Sequence, residues 1–266
     1  AWYRRASGAR AMTLKVIKLG GRVQSDVALI SGLKSLWDRE PGSFCVVHGG
    51  GDEISSLQRA LGREPSFVNG RRITTEGDID LVRMILSGSA NKRLVSSLAA
   101  AGIPAVGISG EDGGTLMAEP IDIELFGRSG KPVSADAQLI RLLLTSSFLP
   151  VISPVAASAV AATREALNVN GDDAAAVIAA ALGAELWLLA DVSGVLDENR
   201  RVIGDLDQGS VDALVAAGTV KSGMRAKLEA GFAALAGGAP KVRIAGLEAL
   251  SGSESGTLLS LTPIMT

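Results

Sequence analysis

The chain has very few of the residues that carry redox or metal chemistry. Among its 266 residues, Cys45 is the only cysteine and His48 is the only histidine. A single cysteine excludes an internal disulfide and a thiolate cage, and a single histidine excludes a multi-histidine metal site. At most one imidazole could act as a general base. We therefore expect no metal-binding set of side chains.

The chain also lacks an excess of charge and long apolar runs. Its 28 acidic and 26 basic residues nearly balance, which gives no support to a nucleic-acid-binding surface. The apolar stretches 150–162 and 174–184 are shorter than the roughly 20 residues that a membrane span requires. The basic start, AWYRRASGAR, has no apolar signal core, so we expect a short disordered leader before Met12, with a transit peptide as the alternative. These features favour a cytoplasmic protein.

Apolar runs alternate with helical patterns along the chain. We predict strands within 14–21, 44–51, 104–110, 149–156, 185–196 and 241–246, and helices over 26–39 and 81–102. This alternation predicts an α/β fold, a three-layer sandwich with a mainly parallel central sheet. Residues 119–132 suggest an excursion or hairpin, and 157–167 a connection between two lobes. A chain of this length can form one large core or two fused lobes.

Glycines follow two of the predicted strands. Gly20 and Gly21 end the first strand, and the HGGG sequence 48–51 ends the second. Backbone amides at such turns can approach an anion, and the carboxyl ends of parallel strands share one crevice. The alternative is that these glycines only make tight turns. No P-loop or dinucleotide fingerprint is present. The HGGG sequence resembles an esterase oxyanion loop, but no G-x-S-x-G elbow supports a hydrolase.

Several charged side chains occupy unusual positions. Lys18 lies inside an apolar strand, and Lys227 lies in the first turns of a helix. A buried ammonium needs an anionic partner, although a snorkelling Lys18 and a solvated Lys227 are the alternatives. The sequence NVNGDDAA has more amides and carboxylates than helix capping requires. Arg71 and Arg72 could clamp a carboxylate, or form an exposed basic loop.

Taken in order, the motifs resemble those of the amino acid kinase family, and within it the branch that phosphorylates N-acetyl-L-glutamate. The resemblance covers residues 16–259 and rests on KLGG, HGGG, NGRRIT, SANK, ISGEDGG, NVNGDDAA, LLADVSGVLD and SGMRAKLEA. Aspartokinases and uridylate kinases differ at these places and lack NGRRIT. The resemblance implies the amino acid kinase fold, with residues 13–166 as a substrate-binding and dimerisation lobe and residues 167–262 as an ATP-binding lobe.

The resemblance also implies a reaction: ATP and Mg²⁺ would phosphorylate the side-chain carboxylate of N-acetyl-L-glutamate, giving N-acetylglutamyl 5-phosphate for arginine biosynthesis. The implied catalytic residues are Lys18, Lys227 and Asp172. The implied substrate-binding residues are Gly50, Gly51, Arg72, Asn168 and Asn170. The implied ATP-binding residues are Gly20, Gly21, Asp191, Val192, Ser193, Gly194, Val195, Leu196, Thr219, Val220 and Lys221.

Elementary chemistry agrees with this reaction. A carboxylate with a pKa of about 4.3 is already ionised at neutral pH, so this nucleophile needs no general base. Phosphoryl transfer requires positioning and neutralisation of spread-out negative charge, which lysines, glycine amides and Mg²⁺ can supply. A sequence with one histidine can therefore run this reaction.

Two departures and two alternatives accompany the resemblance. Asp173 stands where relatives more often have a neutral residue, and Arg22 adds an uninterpreted charge after Gly21. A kinase of carrier-linked aminoadipate or glutamate in lysine biosynthesis is disfavoured because ITTEGD replaces an Arg-Tyr pair after the clamp. A catalytically silent sensor is disfavoured by Lys18, Asp172 and Lys227.

Because few residues precede the first strand, we expect a homodimer that L-arginine does not inhibit.

Overall fold

The computed structural model describes residues 13–68, 70–160, 165–220 and 222–262. The expected leader lies outside this part of the chain. The strands are β1 Lys15–Leu19, β2 Phe44–Val47, β3 Phe67–Val68, β4 Arg71–Arg72, β5 Ala105–Ser109, β6 Met117–Pro120, β7 Ser129–Ser134, β8 Leu149–Ser153, β9 Val155–Ser158, β10 Ala166–Val169, β11 Glu185–Leu189, β12 Asp205–Leu206, β13 Val242–Ala245 and β14 Thr257–Leu259. The α-helices are α1 Ala28–Arg39, α2 Gly51–Ala60, α3 Ile79–Arg83, α4 Asn91–Ala100, α5 Ile123–Phe126, α6 Gln138–Thr145, α7 Gly171–Leu182, α8 Gln208–Ala216 and α9 Ser222–Ala236.

Eight strands form the central sheet, in the order β12-β14-β13-β11-β1-β2-β8-β5. The six strands from β13 to β5 run parallel, and β14 pairs antiparallel with β13. β1, at the centre, is buried along its whole length, as its unbroken apolar run predicts. The expected α/β fold with a mainly parallel sheet is confirmed.

Helices cover both faces of this sheet. Side chains of α6, α7 and α9 pack with Val16 and Leu186 on one face, and side chains of α1 and α4 pack with Ile17 and Leu19 on the other. Because successive side chains of a strand point to opposite faces, Lys18 shares the face of Val16 and points towards α7. The three-layer arrangement therefore determines which helix the strand lysine meets.

A small closed barrel, β10-β7-β6-β9, lies beside the sheet. The hairpin expected over 119–132 is confirmed, because β6 and β7 pair antiparallel. The single strand expected over 149–156 is wrong: it is interrupted at Pro154, and β9 continues into the barrel. Proline, which has no amide hydrogen, suits such a break.

Two other elements differ from the sequence expectation. The predicted strand 185–196 ends at Leu189 and continues as turns. The helix expected over 81–102 contains a π-helical stretch, Met84–Ala90, between α3 and α4. Among the described helices, none combines the length and hydrophobicity that a membrane crossing needs. The large sheet takes strands from both sides of residue 167, and the division into two lobes stays a prediction.

Candidate active site

Three of the predicted catalytic residues meet at the carboxyl end of β1. The Nζ of Lys18 lies 2.8 Å from Asp172 Oδ1, and the Nζ of Lys227 lies 3.0 Å from the same oxygen. Lys227 also contacts Asp172 Oδ2 over 3.1 Å. The side chains come from β1, α7 and α9, and all three are largely buried. The structure therefore brings together residues that are more than 200 positions apart in sequence.

The electrostatics of this cluster favour an anionic ligand. Burial lowers the pKa of Lys18 and Lys227 lowers it further, while Asp172 acts in the opposite direction. Burial alone would raise the pKa of Asp172, but the two ammonium groups together lower it. With both lysines protonated, the cluster has one more positive than negative charge. Excess charge in a buried site is costly unless an anion compensates it.

The start of α7 is built to hold this cluster. Asn170 caps the helix, and its side-chain oxygen accepts from the amides of Asp172 and Asp173 over 2.8 and 3.4 Å. Gly171 follows, and a Cβ atom there would lie only 3.2 Å from Cε of Lys18. The cap uses the side-chain oxygen of Asn170, which leaves its side-chain amide nitrogen to bind a ligand. One of the predicted substrate-binding residues therefore also has a structural role.

A cavity of about 250 Å³ opens beside Lys18. It is called the acceptor cavity below, after the predicted substrate that would accept the phosphoryl group. Five residues predicted to bind substrate line it: Gly50, Gly51, Arg72, Asn168 and Asn170. Gly51 begins α2, and the amides of Gly50 and Gly51 have no protein acceptor within the described residues. Unpaired amides at the start of a helix favour binding of a negatively charged group at that place.

Arg72 is a buried cation that lines the acceptor cavity together with Lys18 and Arg71. Its guanidinium donates to Gln58 Oε1 over 2.5 Å, to Ser55 Oγ over 2.8 Å and to the carbonyl oxygen of Gly51 over 2.7 Å. Burial lowers the pKa of Arg72. Within the described part of the chain, no carboxylate lies at salt-bridge distance from this guanidinium. A buried cation held only by neutral acceptors is suited to binding a carboxylate ligand.

A second cavity, of about 650 Å³, is lined by Asp172 and by two of the residues predicted to bind ATP, and it is called the nucleotide cavity below after that prediction. Lys227, Asp191 and Val192 line it, and Asp191 and Ser193 line a smaller adjoining cavity. Arg22 reaches across to Asp191 over 2.7 Å, between exposed side chains. The charge of Arg22 therefore lies at the edge of the nucleotide cavity.

The two glycines after β1 have different environments. The amide of Gly20 donates to the carbonyl oxygen of Leu189 over 3.0 Å, and a Cβ at Gly20 would lie 2.9 Å from that oxygen. Gly21 lines the acceptor cavity and has open space where a side chain would be. An amide contact to phosphate would therefore come from Gly21, whereas Gly20 keeps β1 close to β11.

Seven described residues assigned to ATP by resemblance do not line the two cavities at Asp191: Gly20, Gly21, Gly194, Val195, Leu196, Thr219 and Val220. Val195 is buried, and its amide donates to Thr257 Oγ1 over 2.8 Å. Val220 packs against the same core as Val195. Lys221 lies outside the described residues. The contact of all these residues with a nucleotide stays a prediction.

Sequence reasoning missed how the two neighbouring arginines separate. Arg71 Nη1 binds Asp173 Oδ2 over 3.0 Å, whereas Arg72 binds Gln58 and Ser55 of α2, although both arginines line the acceptor cavity. Neighbouring side chains of a strand point to opposite sides, but the sequence did not mark these two residues as a strand. The carbonyl oxygen of Arg72 also accepts from Ser129 Oγ over 2.6 Å, a contact with no sequence signal.

The comparison with known families decides the affiliation of the chain. The sequence profile of the Amino acid kinase family matches residues 13–246. This chain belongs to the amino acid kinase family. The resemblance inferred from the motifs is thus confirmed, and the family match runs from before β1 to the end of β13.

Curated relatives of this amino acid kinase cover most of its length. An acetylglutamate kinase of Geobacillus thermodenitrificans (strain NG80-2) is 40% identical over 233 residues, covering 86% of this chain and 88% of the relative. An acetylglutamate kinase of Paracoccus denitrificans (strain Pd 1222) is 41% identical over 238 residues, covering 88% of this chain and 76% of the relative.

Solved structures agree on the fold of this amino acid kinase. The crystal structure of smu.665 from Streptococcus mutans UA159 has 26% identity and a TM-score of 0.81, and covers 94% of this chain and 99% of that one. An N-acetylglutamate synthase of Neisseria gonorrhoeae, complexed with coenzyme A and N-acetyl-glutamate, has 21% identity and a TM-score of 0.77 over 95% of this chain and 60% of that one. At 21% identity, the second likeness concerns the fold alone.

Proposed function

We propose that this chain is an ATP-dependent kinase that phosphorylates the side-chain carboxylate of N-acetyl-L-glutamate, giving N-acetylglutamyl 5-phosphate in arginine biosynthesis. Curated acetylglutamate kinases about 40% identical over most of the chain support this function. The structural observation that carries it is the buried Lys18–Asp172–Lys227 cluster, placed between one cavity with a carboxylate-seeking arginine and a second, larger cavity.

The acceptor has two carboxylates, and the acceptor cavity offers two places for negative charge. One carboxylate would bind the guanidinium of Arg72, which has no acidic partner in the described structure. The other would lie beside Lys18 and the free amides of Gly50 and Gly51. Ile54 and Leu86 supply apolar surface in the same cavity, which suits the acetyl methyl group.

The two lysines would act from opposite sides of the transferred group. Lys18 lines the acceptor cavity and Lys227 lines the nucleotide cavity, while Asp172 holds both. Such an arrangement neutralises negative charge on the phosphoryl group without moving a proton. The attacking carboxylate is ionised at neutral pH, so none of these residues needs to serve as a base. We assign Asp172 the role of orienting the two ammonium groups.

The nucleotide cavity fits a phosphate chain better than a protein-held metal. Its cations, Arg22, Arg71 and Lys227, suit phosphates. Its carboxylates each lie at salt-bridge distance from a cation: Asp172, Asp173, Asp191 and Glu229. Among the described residues, no group of three acidic, cysteine or histidine side chains is placed to hold a metal ion. Mg²⁺, which neutralises phosphate charge when bound with ATP, would therefore be held chiefly by the nucleotide's own oxygens.

The assembly and the cell compartment belong to the same proposal. We propose a homodimer formed through apolar helix faces of the first lobe. We also propose a cytoplasmic location, where the amino-acid substrate and ATP would be available. Sizing by multi-angle light scattering tests the dimer, and a monomer at micromolar concentration would contradict it.

A coupled ADP-release assay tests the function with N-acetyl-L-glutamate, N-succinyl-L-glutamate, L-glutamate and L-aspartate as acceptors. We expect the highest kcat/KM with N-acetyl-L-glutamate and formation of a hydroxamate when the acyl phosphate is trapped with hydroxylamine. A higher kcat/KM with another acceptor would change the substrate assignment. Binding of N-acetyl-L-glutamate without turnover would instead indicate a silent sensor.

A further inference from the structure

The hairpin β3–β4 forms a wall of the acceptor cavity, yet it is very small. Each strand has two residues, and the pairing consists of Phe67 opposite Arg72 and Val68 opposite Arg71. Isolated hairpins are marginally stable even when their strands are longer. The position of this hairpin therefore depends on contacts with neighbouring elements, among them the Ser129 Oγ of β7, which donates to the carbonyl oxygen of Arg72, and side chains of two helices.

The two side chains of β4 bind different helices. Arg72 binds Gln58 and Ser55 of α2, on the acceptor side. Arg71 points the other way and binds Asp173 of α7 over 3.0 Å. Asp173 directly follows Asp172, which holds both lysines. The hairpin that carries Arg72 is thus tied to the same helical turn that carries Asp172.

Arg71 also lies at the junction of the two cavities. It lines both the acceptor cavity and the nucleotide cavity, and Gly70 does the same. Asp173 lines the nucleotide cavity. The pair therefore lies where an acceptor and a nucleotide would approach each other, although neither charge belongs to the lysine cluster.

The Arg71–Asp173 pair is partly buried. The side chains are 36% and 22% exposed, and the described structure places no other cation at salt-bridge distance from Asp173. Burial raises the pKa of Asp173, and Arg71 partly offsets that effect. Without Arg71, the carboxylate would stand partly buried beside Asp172, which raises its pKa, with only a weaker electrostatic contribution from Lys131.

We propose that the Arg71–Asp173 pair is a positioning device, which sets the distance between Arg72 and the Lys18–Asp172–Lys227 cluster. This inference rests on the proposed function, since Arg72 must bind the acceptor for its position to matter in catalysis. Release of the pair lets the hairpin shift, so that the acceptor carboxylate is less well placed against the phosphoryl group. Small misplacements of this kind reduce rate and acceptor affinity together.

The test combines kinetics with a measurement that needs no acceptor. Arg71→Met, Asp173→Asn and the double variant are compared with Lys34→Met, which removes another ion pair, Lys34–Asp38, on the surface of α1. We expect each single variant to lower kcat/KM for N-acetyl-L-glutamate by roughly 3- to 30-fold with a raised acceptor KM, and the double variant to be no worse than the worse single one. The KM for ATP and the Tm should stay near wild type.

Hydrogen exchange of the hairpin provides the second readout. We expect the amide of Ile73, which donates to the carbonyl oxygen of Ser66 over 2.9 Å, to exchange faster in Arg71→Met and Asp173→Asn but not in Lys34→Met. A merely stabilising pair would lower the active fraction and Tm while leaving the acceptor KM unchanged. That outcome, or additive effects in the double variant, would overturn the inference.

The two proposals can fail separately. If the wild type does not phosphorylate N-acetyl-L-glutamate but hairpin exchange still depends on the pair, then the function fails and the positioning of the hairpin stands. If the wild type is active but Arg71→Met and Asp173→Asn change neither the hydrogen exchange of the Ile73 amide nor the acceptor KM, then the positioning role fails and the function stands.

Discussion

Lys227 donates to both carboxylate oxygens of Asp172, over 3.0 and 3.1 Å, and thereby joins α9 to the first turn of α7. Lys18 contacts the same carboxylate from β1 over 2.8 Å. One buried carboxylate thus fixes two ammonium groups that come from distant parts of the chain. Because protein contacts alone hold the two ammonium groups, the cluster is suited to electrostatic stabilisation without reorganisation during the reaction.

The first prediction concerns the lysines. Lys18→Ala and Lys227→Ala should each lower kcat by about 10²–10³, because each removes a positive charge facing the transferred phosphoryl group. Circular dichroism should show a folded protein in both cases, with Lys34→Ala on the surface of α1 as the matched control. Turnover near that of wild type in either variant would remove that lysine from the mechanism.

The second prediction separates the role of Asp172 from that of the lysines. Asp172→Asn leaves two buried ammonium groups without their anion, which should destabilise the fold by about 3–5 kcal/mol in urea unfolding. A bound polyanion should compensate, so tripolyphosphate should raise the Tm of the variant by more than it raises the Tm of wild type. Equal shifts in both proteins would show that the phosphate does not bind between the lysines.

The third prediction concerns Arg72. Arg72→Gln should raise the KM for N-acetyl-L-glutamate strongly, because it removes about 2–3 kcal/mol of charge-assisted hydrogen bonding. The KM for ATP should change little. Arg72→Lys should recover only part of this, because a lysine cannot replace the contacts to Gln58, Ser55 and the carbonyl of Gly51. A variant that binds ATP poorly and the acceptor normally would reverse the assignment of the two cavities.

Much of this fold was predictable because its signals are local. The apolar run around Val16 and the glycines after it indicate a buried strand and a turn, and the structure has both. Pro154 was a signal for the break, because proline has no amide hydrogen, but the length of the apolar run 149–156 suggested one strand. The four-stranded barrel depends on contacts between distant segments, such as β6 with β9, which no short pattern reports.

The site was predictable in part for a different reason. Lys18, Asp172 and Lys227 each carry a local oddity, a charge in an apolar or helix-start context, and the structure places them together. Arg71 and Arg72 looked like one clamp because they are adjacent in sequence. Their opposite directions follow from strand geometry, but the short hairpin has too few residues for a period of two to be visible.

The last prediction concerns the only histidine. His48 is fully buried; its Nδ1 lies 2.9 Å from the carbonyl oxygen of Gly49, and its Nε2 lies 3.1 Å from Nδ2 of Asn91. The Asn91 amide donates to the carbonyl oxygen of Val151 over 2.9 Å, so its nitrogen faces His48 and Nε2 must be the unprotonated acceptor. Protonation would set two donors against each other, next to the loop that precedes α2.

Burial lowers the pKa of His48, with the Gly49 carbonyl acting in the opposite direction. The folded pKa therefore lies below the unfolded value of about 6.5, and the unfolded chain takes up the proton first as the pH falls. The stability that neutral His48 provides is complete above about pH 6.5 and declines below it, by at most about 1.4 kcal/mol per pH unit. Urea unfolding of wild type and His48→Gln between pH 7.5 and 5 measures this, because the variant has no imidazole and the carboxylates titrate in both proteins. The free energy of unfolding should fall more steeply in wild type over this range, and parallel curves would show that His48 is protonated in the folded protein as readily as in the unfolded chain.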